Sequence, residues 1–280
     1  TQEFATSLER ELIANFGVRP GYVWRGQRNQ YGRYNIAIPY EAFTVPVSVR
    51  DPGQDGVVGN ADDGSPIAAM DLAPEFRGLT PVNRTINSER GDSDYHTFEI
   101  TGTKRMSNRW SLLASYGYTK SFDQAATIQG NAIRGNALVV NPNDEINTED
   151  GRQVYTRASV KVSGTYESPM WGMSFSPIVR YHEGVPFGRT FSTTALSYGS
   201  VRFLAEPMDT RRQDTILITD LRVEKTHAFS GRNISVFFDL YNMFNANPAQ
   251  NLQWSSGTAW NRPLSVVPPR LARIGAKLNF

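Results

Sequence analysis

Residues 51–63 concentrate oxygen ligands: Asp51, Asp55, Asn60, Asp62 and Asp63, with glycines at 53, 56, 59 and 64. Carboxylate and amide oxygens on a flexible backbone suit Ca²⁺, which takes about six to eight of them. The spacing is not that of an EF-hand, whose ligands recur at alternate positions and close on a Glu. The competing reading is a polar turn, in which Asp and Gly supply positive φ and Asx-turn geometry. Calcium here is the one cofactor the residues suggest. The histidines, His96, His182 and His227, are far apart and lack ligand spacing. Hydrolysis needs a nucleophile with a base beside it, and no G-x-S-x-G motif occurs. Cysteine is absent, which excludes disulfides and thiolate chemistry. No catalytic residue is assigned, and the chain is not expected to be an enzyme.

A second set of charged residues alternates with the apolar positions. Arg157, Lys161, Arg180, Asp220, Arg222, Asp239, Arg273 and Lys277 fall on the face opposite the hydrophobic side chains. In a closed sheet that face would line a polar interior. Two roles fit: a solvated lumen balanced by ion pairs, or a path for a substrate. Formal net charge is only +2, so no nucleic-acid partner is expected.

The elements that must position these residues are strands. Residues 94–105 put His96, Phe98, Ile100 and Gly102 on one face and Thr97, Glu99, Thr101 and Thr103 on the other. The same alternation runs through 110–120, 154–166, 171–182, 214–225, 233–245 and 270–280. Side chains alternate sides along a strand, so one face fits hydrocarbon and the other water. Each segment has the ~10 residues that a tilted membrane strand needs. Fainter alternation at 3–16, 18–28, 41–50 and 66–73 brings the expected count to about eleven strands. Residues 5–15 alone have a spacing that also suits a short helix. Mean hydropathy is −0.43, but a barrel shows only alternate residues to lipid and hides from such an average. The connections are asymmetric. Those at 105–109, 167–170 and 228–232 are short, and those at 123–152, 188–213 and 246–268 are long. This is the plan of an antiparallel transmembrane β-barrel segment of about 10–12 long strands, with short periplasmic turns and long outer loops. Counting parity back through the faint early strands puts the 51–64 loop on the periplasmic side.

Three stretches carry a family resemblance. The ending 268–280 (PPRLARIGAKLNF) resembles the closing strand of bacterial outer-membrane barrels. In those proteins a terminal Phe belongs to the signal read by the barrel-assembly machinery. The resemblance assigns that signal here to Ile274, Ala276, Leu278 and Phe280. Residues 233–247 (NISVFFDLYNMFNAN) resemble the penultimate strand of TonB-dependent outer-membrane receptors. Residues 51–64 (DPGQDGVVGNADDG) are similar to a segment of the Oar-like branch, whose members carry a carboxypeptidase-regulatory-like domain.

The resemblance implies a receptor in the bacterial cell outer membrane for energised uptake of a bulky ligand. Its implied partners are outer-membrane lipid, the barrel-assembly machinery and the TonB–ExbB–ExbD system, the last engaged through an N-terminal region absent from this chain. Family members have a plug and a barrel of about 22 strands. With about half that number, residues 1–280 are expected to be the C-terminal part of a barrel, without the plug and with unpaired edges. The alternative is a self-contained barrel of 10–12 strands, acting as an enzyme or a porin.

Overall fold

The computed structural model describes residues 1–88, 90, 92–125, 127–134, 138–229 and 232–279. Phe280 and the tip of the 228–232 turn lie outside the described residues. Ten strands form one antiparallel sheet: β1 (Gln2–Ser7), β2 (Arg10–Ile13), β3 (Phe16–Gln27), β4 (Ser93–Ser107), β5 (Trp110–Asp123), β6 (Gln153–Glu167), β7 (Met173–His182), β8 (Ile216–Phe229), β9 (Arg232–Tyr241) and β10 (Leu271–Asn279). Each pairs with its sequence neighbour, except that β1 and β2 follow one another along the same edge of β3. The ambiguous 5–15 region is therefore extended, not helical. β4 and β6 run for 15 residues, well past the ~5–6 usual in soluble sheets.

Local chemistry sets the tight end of each hairpin. Asn108 and Arg109 join β4 to β5 with φ of 53° and 71°. Two positive-φ residues between paired Ser107 and Trp110 match the twist that a two-residue hairpin prefers. The other ends are joined by connections 28–92, 124–152, 183–215 and 242–270.

Directly opposed residues share a face, so the register sorts the side chains. One row runs Pro20, Ile100, Tyr116, Val160, Tyr181, Leu217. A second runs Trp110, Tyr166, Phe175, Val223, Phe238, Ile274. These rows are left uncovered: Leu217 is 53% exposed and Ile274 78%. A continuous apolar belt of this kind needs hydrocarbon against it. The other face carries rows such as Arg19, Thr101, Ser115, Lys161, Arg180.

The hydrophobic core is not in the wall. Among the described buried hydrophobic residues, Ile218 alone belongs to a wall strand. The rest sit in the long connections. One cluster joins Ile133, Phe187, Leu204, Met208, Leu252 and Trp254, with Phe187 stacked on Trp254 at 5.3 Å. Another joins Val49 and Ala69 to Phe191, Leu196 and Phe203. The four long connections thus fold into one cap.

The segments near 41–50 and 66–73 are strands, Phe43–Val49 and Ile67–Leu72, but they pair with each other within the 28–92 connection and stay outside the wall. Their buried alternate residues cover the cap core instead of meeting lipid. With 66–73 no longer a crossing between the 51–64 loop and β4, the whole 28–92 connection stays on one side of the wall, so the loop lies at the cap end and not among the short turns.

The sheet has two free edges. Among the described residues, no pairing links β1 or β2 with β10. Every residue of β1 and β2 is exposed.

Candidate functional site

The polar face of the wall and the cap above it form the candidate site. On the polar face, Arg180 Nη2 donates to Asp220 Oδ2, and Asp220 Oδ1 accepts the Asn242 backbone N–H at 2.8 Å. Asp239 is clamped between two guanidiniums. Arg222 Nε donates to its Oδ1 at 2.6 Å, and Arg273 Nη2 to its Oδ2 at 2.6 Å. Arg222 also sits 4.4 Å from the Phe237 ring centre. The planar guanidinium suits both contacts at once. These five residues form two ion-paired groups across β7–β10.

Arg157, Lys161 and Lys277 share the polar face but stand outside those groups. Arg157 lines a cavity of about 330 Å³ with Glu99, Tyr155 and His182. Lys161 stands opposite Arg180, and Lys277 opposite Ser235. Ile274, Ala276 and Leu278 lie on the apolar face, opposite Phe238, Val236 and Ile234. His96 is also on that face, with Nδ1 2.8 Å from the Tyr22 hydroxyl and its ring edge-on to Phe122. Together with Trp24 it belongs to an aromatic band at the cap end of the wall. His227 faces the same side, opposite Ile234, while His182 is on the polar side opposite Ser159. The three histidines are not brought together.

The 51–64 loop uses its oxygens within the protein. Asp51 is buried and accepts two bonds from the buried Arg189, at 2.7 and 2.5 Å. Arg189 Nη1 also donates to the Gly53 carbonyl at 2.7 Å and to Ser256 Oγ at 2.9 Å. Glu206 Oε1 lies 3.6 Å from Arg189 Nε. Burial pushes the Glu206 carboxyl up, but hydrogen bonds and charge from Arg211 and Arg189 outweigh it and hold it below its ordinary value. Asp62 accepts the backbone N–H groups of Gln54 and Asp55, and Asp63 accepts that of Gly59. The N–H groups of Asp55 and Gln54 hold the Asp62 carboxyl below its ordinary value. Asp55 accepts from Val57 and Asn60. Among the described residues, no group of three or more His, Asp or Glu is placed to hold a metal. The arrangement is that of Asx turns closed by an ion pair. Gly53 takes φ 67°, and a Cβ there would meet the Asp62 carbonyl oxygen at 2.2 Å.

Residues 1–259 match the family model described as outer membrane beta barrel domain. The chain belongs to that outer membrane beta barrel family. It resides in the bacterial outer membrane, and its apolar rows are its lipid contact. In such barrels short turns face the periplasm and long loops face outward, which puts the cap outside the cell. No curated protein matches this barrel chain. Among solved structures, it is similar in fold to the outer membrane transporter YddB from Escherichia coli, with a TM-score of 0.51 at 12% identity. That match covers 99% of this chain and 32% of YddB, so the chain spans about a third of that transporter's length.

Sequence reasoning missed Arg189, Glu206 and the aromatic pair Phe187–Trp254. No local pattern marks them, because Arg189 meets an Asp 138 positions away.

Proposed function

We propose that this outer-membrane barrel wall serves energised uptake of a bulky ligand, as the C-terminal part of a TonB-dependent receptor of the Oar-like type. The observation that carries the reading is the pair of free sheet edges beneath a folded outer cap. A free edge in lipid leaves a row of backbone N–H and C=O groups without partners, which is prohibitively costly. Partners for both edges would remove that cost, which fits a barrel larger than the described sheet. The likeness in fold to about a third of an outer membrane transporter supports the same size. The sequence resemblance supplies the TonB link and the barrel-assembly partner.

The test is site-specific photocrosslinking in cells between TonB and the protein expressed from its own gene. Crosslinks that require ExbB–ExbD are expected. Their absence, with steady conductance in planar bilayers, would replace uptake by passive diffusion.

The assembly signal has its own test. Ile274, Ala276 and Leu278 form an apolar stripe on β10, and in the sequence Phe280 follows them at the same two-residue spacing. Aromatic residues are enriched at membrane–water boundaries. Deleting Phe280 should reduce the protein recovered in the outer membrane several-fold, while Phe280→Tyr should be tolerated. Equal recovery of the deletion and the wild type would remove this reading.

A further inference from the structure

The cap contains two buried arginines in opposite situations. Arg189 is matched by the carboxylates of Asp51 and Glu206. Arg134 is 6% exposed, yet its partners are neutral. Its Nη2 donates to Gln124 Oε1 at 2.8 Å and its Nη1 to the Asp144 backbone carbonyl at 3.5 Å. Among the described residues its Nε finds no partner. Burial drives its pKa down against the pull of nearby Asp144 and Asp123. A buried guanidinium without a matching carboxylate is costly, and an unsatisfied N–H adds to that cost.

Arg134 lines a cavity of about 490 Å³, which falls in the size range of small-molecule sites. Arg33 and Arg202 line it too, and the lining includes the carboxylate of Asp144. Asp144 is already engaged: its Oδ2 accepts the backbone N–H groups of Val140 at 2.9 Å and Asn141 at 3.2 Å. Burial pushes its carboxyl up. Arg202 Nη1 donates to the backbone carbonyl of Ala132 at 3.1 Å. Three asparagine amides, two serine hydroxyls and Tyr198 complete most of the polar lining. The walls come from three separate outer connections, 28–92, 124–152 and 183–215.

We infer that this outer cavity binds a small polyhydroxylated acid, a sugar-acid type of ligand whose carboxylate is taken by the arginines. Guanidinium binds carboxylate through paired, directional N–H bonds. Amides and hydroxyls match a ligand rich in OH groups. Binding at the cavity goes beyond the uptake reading and stands apart from TonB.

The test is calorimetric titration of the purified, detergent-solubilised protein with glucuronate, galacturonate, glucose and inorganic phosphate. Saturable binding of at least one sugar acid is expected, with none of glucose. Arg202→Gln should weaken it at least tenfold, and so should Arg33→Gln. Arg211→Gln, whose side chain pairs with Glu206 elsewhere in the cap, should bind as the wild type does. These variants avoid buried Arg134, whose loss could unfold the cap. Failure of both sugar acids to bind would overturn the inference, as would undiminished binding in the Arg202 and Arg33 variants. Phosphate binding without sugar-acid binding would overturn the ligand class. Each outcome is read without TonB, so failure here leaves the uptake proposal standing, and failed TonB crosslinking leaves this one standing.

Discussion

Arg189→Met is expected to release the outer cap while leaving the wall folded. The substitution strands Asp51, which is as buried as its partner, and breaking a buried pair from one side costs about 3–5 kcal/mol. The same guanidinium holds the Gly53 carbonyl and Ser256 Oγ, so the 51–64 loop and the 242–270 connection should loosen together. Opening should become roughly two to four orders of magnitude more frequent, at one tenfold per ~1.4 kcal/mol. Hydrogen exchange followed by mass spectrometry reads this directly, as faster exchange in 51–64 and 255–257 with β4–β7 unchanged. Pairing Arg189→Met with Asp51→Leu should recover part of the loss, because no charge is then stranded. Unaltered exchange in the single variant would mean that the aromatic clusters alone hold the cap.

Val160→Arg should disrupt membrane assembly where the adjacent Lys161→Gln does not. Val160 lies in the middle of β6, flanked on the lipid face by Tyr116 and Tyr181. Arg at the bilayer midplane of a barrel costs about 2–4 kcal/mol. Lys161 points the other way, opposite Ser115 and Arg180, and its neutral replacement should stay within about 0.5 kcal/mol. Heat-modifiable gel migration of outer-membrane fractions separates the two. Equal folded fractions for both variants would contradict the assignment of faces.

The wall was legible in the sequence because lipid imposes a strict demand on it. Every second residue of β4–β10 must suit hydrocarbon, and that period survives in the residue order with no knowledge of partners. The short turns were legible for a similar reason: Asn108 and Arg109 sit where the chain reverses within two residues. The cap was not legible. Phe43–Val49 and Ile67–Leu72 alternate as a wall strand does, since burying one face against a protein core and burying it against lipid give the same period. Asp51 showed a carboxylate in a polar loop, and both the calcium and the turn readings followed from its neighbours. Its main partner, Arg189, is invisible at that distance. The cavity around Arg134 was hidden for the same reason, because its walls converge from three connections that carry no shared motif.

The cap's contacts also dictate an order of events. Ser256 Oγ donates to the Gly53 carbonyl across 203 positions, and Trp260 Nε1 to Gln54 Oε1 across 206. Hairpins such as β4–β5 close over two residues and have no comparable loop entropy to overcome. The wall can therefore zip hairpin by hairpin, whereas the cap must wait until the 242–270 connection has emerged on the far side of the bilayer. Biogenesis should pass through a species with a formed wall and slack outer segments, cut readily by external protease, and resistance should be acquired late and all at once.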